Sequence, residues 1–190
     1  MLKTMGRALM LLLVMTLLTG IAYPLVVTGL SKVIFPKQAE GSLAYKDGQP
    51  IGSVLIGQNF SDPRYFYSRP SAAGKDGYDA ANSGGSNLGP TNKAFLASAA
   101  ERAQKVRTDN GLASNTPVPG DLITASASGL DPHISPEAAR IQVARVAKAR
   151  NLSEQKVQSL VEQYTEGRQF GFLGEPRVNV LKLNIALDSL

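Results

Sequence analysis

From Ala8 to Ser31 the chain carries no charged residue, and Leu9 to Leu18 reads LMLLLVMTLL. About 20 apolar residues span a bilayer's hydrocarbon core, and this uncharged run is 24 residues long. A cleaved signal peptide is the rival. Its apolar core is shorter and ends at a small-residue cut site, whereas here Ile21, Leu25, Val26, Val27 and Leu30 continue the run and no A-x-A site closes it. Pro24 inside the run kinks a helix, which membrane spans tolerate. The organisation expected is a basic head over 1–7, a transmembrane anchor over 8–31 and an extramembrane domain over 38–190.

The anchor accounts for the net charge. Formal charge is +5, but Lys3, Arg7, Lys32 and Lys37 flank the apolar run, and the rest of the chain holds 16 Lys or Arg against 15 Asp or Glu. A nearly neutral domain has no counterion-releasing face, so a nucleic-acid partner is not indicated. Cys is absent and His133 is the single histidine, which excludes disulfides, thiolate metal sites and two-imidazole centres in this chain. The positive-inside comparison is nearly even, with Lys3, Arg7 and the amino terminus on one side and Lys32 and Lys37 on the other. Because a lone N-terminal span with a short basic head usually keeps that head in the cytoplasm, the domain is expected on the outer face.

Beyond Pro36 the pattern is that of a small α+β domain. LAYKDGQPI (43–51) puts Asp47-Gly48 between apolar flanks, a hairpin signal; Ser53 to Ile56 reads as a further strand. Asp62 to Gly89 is a loop of about 28 residues rich in Pro, Gly, Ser, Asn and Asp, a length associated with function. Phe95, Ala99, Ala103 and Val106 predict a helix from Asn92 to Thr108, stopped at Asn110-Gly111. A short apolar stretch follows at Leu122-Ile123. Ser135-Pro136-Glu137 starts a helix that runs to about Arg150, and Ser153 caps another that Gly167 ends. RVNVLKLNIAL (177–187) alternates as a strand, with a phase slip at Val180-Leu181 that suggests a bulge.

Chemistry has few places to sit. SGGSNLGPTN (83–92) is a glycine-rich run entering a helix, the setting in which backbone amides hold phosphate. It lacks the Lys and Ser/Thr of a phosphate-binding loop, so the plainer reading is a turn. SASGLDPH (126–133) gathers serine, aspartate and the one histidine but has no G-x-S-x-G elbow, so an anchored hydrolase is the distant alternative. Arg140, Arg145, Lys148 and Arg150 form a basic cluster, read first as a solvated helix face and second as a surface for an acidic partner or lipid headgroups. Tyr65, Phe66, Tyr67 and Tyr78 are core caps or interface residues. This profile fits an accessory subunit better than an enzyme, and a free-standing membrane-tethered binding protein is the third option.

SVLIGQNF (53–60), YFYSRPSAA (65–73), SGGSNLGPTN (83–92), TASASGLDPHISPEAARIQVARVAKARNL (124–152) and VNVLKLNIALD (178–188) together resemble the C subunit of the bacterial Kdp potassium-transporting P-type ATPase. The resemblance runs through nearly the whole chain. It implies a single-pass subunit of the cytoplasmic (inner) membrane, with a channel-like potassium-binding subunit, a P-type ATPase subunit and a small single-span peptide as partners beside the lipid bilayer. The chain has neither a D-K-T-G phosphorylation motif nor a TVGYG-like filter, so it does neither of those jobs. The family carries two ideas of its role. One is a catalytic chaperone raising the ATP affinity of the ATPase subunit, with Ser83, Gly84, Gly85 and Ser86 as the nucleotide loop; ATP is then met only in the complex, and no cofactor or metal is held firmly. The other is an outer-face domain that stabilises the complex or tunes access of potassium at the channel subunit.

Overall fold

A computed structural model describes all 190 residues. They divide into two compact units, Met1–Ile51 and Gly52–Leu190.

The first unit opens with helix α1 (Leu2–Leu17), a π-helical turn at Leu18–Ala22 and α2 (Tyr23–Ile34). Together they make one continuous helix, Leu2–Ile34, long and apolar enough to cross a membrane, with no residue of its apolar window buried. The π turn has a cause in Pro24. Proline has no N–H and its ring crowds the carbonyl four residues back, and one residue before it the Tyr23 N–H reaches back five residues to the Leu18 carbonyl. One wide turn absorbs the misfit without breaking the helix. A short helix α3 (Pro36–Ala39) follows, then strands β1 (Leu43–Lys46) and β2 (Gln49–Ser53). Asp47 and Gly48 have φ of 52° and 77°, the two positive values a type I′ hairpin turn requires. The strand expected at Ser53–Ile56 is not formed: β2 ends at Ser53, and the Ile56 N–H closes a turn onto the Ser53 carbonyl.

In the second unit no helix or strand forms between Val54 and Asn92. Helix α4 (Lys93–Asn110) starts where the Asn92 side chain accepts from the N–H groups of Ala94 and Phe95, and it ends at Gly111, φ 64°. Gly120–Leu122 makes one 3₁₀ turn. Then come β3 (His133–Ile134), α5 (Pro136–Arg140), α6 (Val143–Arg150), α7 (Glu154–Gln163), β4 (Thr165–Glu166), β5 (Arg177–Asn179) and α8 (Val180–Asp188). The strands form an antiparallel sheet in the order β3-β5-β4, with Ile134 opposite Val178 and Thr165 opposite Val178. Val146, Val157, Val161, Leu183 and Leu187 from the helices meet Ile134 and Val178 from the sheet in one core that also takes in Phe66.

Three further expectations need correction. The helix from Ser135 is interrupted at Ile141-Gln142, because the Gln142 side-chain amide takes the Ala138 carbonyl and its backbone N–H turns instead to Ala139. The Ser153-capped helix stops at Gln163, and Thr165–Glu166 joins the sheet before Gly167 is reached. The long C-terminal strand is three residues of strand and nine of helix. The slip at Val180-Leu181 is the junction: the Asn179 side chain accepts from the Lys182 N–H and caps the helix. Val180, Leu183, Asn184 and Leu187 then line one buried face at helical spacing.

Candidate functional site

The irregular segment 54–92 is held to the core by side chains acting as substitutes for a β-ladder. Phe66 is fully buried. Its N–H donates to Asn184 Oδ1 at 2.9 Å, and its carbonyl accepts from Asn184 Nδ2 at 3.0 Å. Next along the chain, Tyr67 N–H donates to Gln142 Oε1 at 2.7 Å and the Tyr67 carbonyl accepts from Gln142 Nε2 at 3.3 Å. Two buried carboxamides, one on α8 and one at the α5–α6 break, thus satisfy four consecutive backbone groups of a segment without a partner strand, as buried peptide groups require.

Two arginines complete the clamp. Arg145 Nη1 donates to the carbonyls of Pro63 (2.7 Å) and Tyr65 (2.9 Å), and its guanidinium lies 3.8 Å from the centroid of the Tyr67 ring. Burial lowers its pKa, against a smaller opposite pull from Tyr67 and Asp109, though arginine stays charged in proteins. Arg150 donates to the carbonyls of Arg64 and Leu187, pairs with Asp188 at 2.7 Å and sits 4.9 Å from the centroid of the Tyr65 ring. The basic cluster is therefore not simply a solvated face: Arg145 and Arg150 turn inward as fasteners, and Arg140 alone pairs along the surface, with Glu137.

Glycine loop and serine loop interlock beyond this clamp. Ser83 Oγ and Gly84 N–H both donate to the Ser128 carbonyl, each at 2.9 Å. A Cβ on Gly85 would lie 3.0 Å from the Ala127 carbonyl oxygen. Gly129 has φ of 67°, and a Cβ there would meet the Gly84 oxygen at 2.6 Å and the Ala73 nitrogen at 2.7 Å. Ser71 ties a third strand of chain into the knot, donating to the Gly129 carbonyl and accepting from the N–H groups of Ala73 and Tyr78. Tyr78, with φ of 58°, donates its hydroxyl to the Arg69 carbonyl, and burial pushes its pKa up to about 12 against a smaller opposing effect of Ser68.

Ser83, Gly84, Gly85 and Ser86 thus lie where two loops cross. Neither Gly84 nor Gly85 has the positive φ of an amide nest, and the first free amides of α4 are already met by Asn92. The serine, aspartate and histidine of 126–133 do not come together as a triad. Asp131 accepts the His133 backbone N–H at 3.0 Å, lies 3.3 Å from its Nδ1 and pairs with Arg69 at 2.9 Å. Burial pushes the Asp131 pKa up, but the His133 hydrogen bonds and the Arg69 charge outweigh it, and the net shift is downward. Ser135 Oγ caps α5 and approaches Asp121, and Ser126 Oγ faces Ser128 Oγ. A cavity of about 290 Å³ opens between α4 and the irregular stretch 59–78, walled by Tyr67, Tyr78, Arg102 and Lys105. Its cations are engaged: Lys105 with Asp109, Arg102 with the Ile123 carbonyl and Arg69, through Nη1, with Asp131, although the Arg69 Nε has no partner.

Residues 5–189 match the family described as KdpC, K+-transporting ATPase, c chain. The chain belongs to this family. It is 62% identical over 184 residues to the potassium-transporting ATPase KdpC subunit of Methylococcus capsulatus, covering 96% of both chains. The KdpC subunit of Dechloromonas aromatica is 56% identical over 99% of this chain and 98% of its own. That of Gemmatimonas aurantiaca is 55% identical over 100% and 94%. The resemblance read from the five motifs is borne out along the full length, and with it the assignment as an accessory rather than catalytic chain. The clamp of Gln142, Arg145, Arg150 and Asn184 escaped the sequence reading. Its one signal was two carboxamides on otherwise apolar helical faces.

Proposed function

We propose that this chain acts in the potassium-transporting ATPase complex by surface contact from the outer face of the cytoplasmic membrane, stabilising the complex and tuning potassium access at the channel-like subunit. It is anchored by Leu2–Ile34, and its nearest working partners are that subunit, the ATPase subunit and a small single-span peptide. The observation that carries the reading is the fate of the glycine-loop donors. The Ser83 hydroxyl and the Gly84 N–H are spent on the Ser128 carbonyl, and the α4 amides on Asn92. A phosphate would have to displace these bonds before gaining its own. The loop is then an internal fastener that keeps the surface of the domain rigid.

The catalytic-chaperone alternative places ATP at Ser83–Ser86, and one experiment separates the two. Ser83→Ala, which removes the hydroxyl donor to Ser128, and Gly85→Ala, which places a Cβ 3.0 Å from the Ala127 carbonyl oxygen, are introduced into the assembled pump, and KM for ATP is measured beside the yield of intact complex. A fastener predicts an unchanged KM with reduced yield or thermal resistance. A several-fold rise in KM with full assembly would favour the nucleotide loop and defeat the proposal.

A further inference from the structure

Between β4 and β5 the chain makes a small second hairpin whose tip is at odds with its surroundings. Gln169 and Leu173 exchange two backbone hydrogen bonds of 2.9 Å, and Phe170-Gly171 turn the corner with φ of 53° and 82°. Both values are positive, the type I′ geometry that favours Asn, Asp or Gly; a bulky aromatic in the left-handed region is a genuine outlier. Phe170 is 88% exposed, Phe172 71% and Leu173 47%. Nothing in this chain rewards either the strained backbone or the bare rings, and such a combination marks a functional surface.

The charges beneath the tip say what it fits. Arg168 pairs with Glu175 at 2.7 Å, and Arg177 and Lys182 both pair with Glu166, at 3.1 and 2.9 Å. The tip thus offers no uncommitted cation to anionic headgroups, and its complement is apolar and uncharged. Two fully exposed Phe side chains present roughly 400 Å² of apolar surface. Since neither ring is fully exposed, what they offer is about 300 Å², well under half of the ~800 Å² each partner gives to a standard interface, too little to hold two copies together but enough to anchor a larger contact. A bilayer has no shape to reward a preformed turn, whereas a pocket does, because rigidity in the bound conformation lowers the cost of binding.

We infer that Phe170 and Phe172 form an aromatic anchor that seats in an apolar pocket on a neighbouring subunit of the same complex. The inference rests on the subunit reading above and adds the contact residues. The test uses the full-length chain in the complex, captured through a tag on a larger subunit. Phe170→Ser and Phe172→Ser are expected to weaken retention about tenfold or more each, as for central aromatic anchors. Phe170→Gly relieves the backbone, so it is expected to raise the thermal midpoint of the chain while lowering retention, a pairing that misfolding cannot produce. A photoreactive benzoylphenylalanine replacing Phe172 is expected to cross-link to another subunit at apolar residues. Cross-linking only to lipid, only to a second copy of this chain, or to nothing overturns the inference, as does full retention of the serine variants. Failure of the wild-type chain to be retained would instead defeat the subunit reading itself.

Discussion

Asn184 provides the sharpest quantitative prediction. It is 2% exposed, and its carboxamide bonds both the N–H and the carbonyl of Phe66, which is 0% exposed. Asn184→Leu keeps the branched heavy-atom outline, though with bulkier methyl groups, and removes both bonds. The side chain itself becomes apolar, so the loss lies with the Phe66 peptide groups, stranded without water. Each buried, unsatisfied group costs about 1–3 kcal/mol, so two cost about 2–6 kcal/mol out of a typical total of ~5–15 kcal/mol. At roughly 3–4 °C per kcal/mol for a domain of this size, a central loss of about 4 kcal/mol lowers the midpoint by about 14 °C. Tyrosine fluorescence suits the assay because the chain has no Trp, and Tyr65 and Tyr67 flank the stranded residue. Urea and thermal unfolding of the full chain in detergent would give the difference, with the anchor helix as an inert background. A loss under about 1 kcal/mol would refute the claim that the carboxamide stands in for a strand partner.

Gly129→Ala meets backbone at 2.6 and 2.7 Å in a left-handed conformation, so it is expected to cost about 2–4 kcal/mol and to raise amide exchange at Gly84, whose N–H is paired to Ser128. Arg145→Lys keeps the charge but loses the fork that holds the Pro63 and Tyr65 carbonyls and the flat stack on Tyr67; a drop of about 2–3 kcal/mol in urea unfolding is expected. Asp131 has a folded pKa below its unfolded value. Its contribution is therefore present above about pH 4 and is lost as pH falls through the folded value, so Asp131→Asn should flatten the acid limb of a stability–pH curve. Tyr78 has the opposite sign: with its pKa pushed up to about 12 by burial, its contribution is complete below about pH 10 and is lost as pH rises from there to about 12, and near-ultraviolet absorbance should show one late-titrating tyrosine that Tyr78→Phe removes.

Legibility from sequence followed the reach of the interactions. The Asp47-Gly48 hairpin and the caps at Ser135 and Ser153 were readable because their determinants lie within a few residues of one another. The α+β class followed from those elements, and family membership from long motifs. What failed depends on contacts far apart in the chain. Asn184 looked like the polar phase of a strand because only Phe66, 118 residues away, explains a carboxamide inside an apolar helical face. Arg145 and Arg150 looked like solvent-facing charges because the carbonyls they hold lie some 80 residues earlier. Long irregular length at 62–89 was a correct pointer to a special segment, yet its interlock with 126–129 is made by backbone and hydroxyl groups that leave no periodic trace. Phe170 and Phe172 sit in a turn between Gly167 and Arg177 for which no element was expected.

The central claim is that the domain works from the outer face, and side of the membrane decides it most directly. Gln49 is exposed beside the Asp47-Gly48 turn, and the chain has no other cysteine to compete. Gln49→Cys in intact spheroplasts, treated with a membrane-impermeant maleimide and compared with lysed membranes, reports the side on which the segment following the anchor lies. Equal labelling before and after lysis is the predicted result. Protection in intact cells with labelling only after lysis would place the domain in the cytoplasm, contradict the account and return Ser83–Ser86 to consideration as a nucleotide contact.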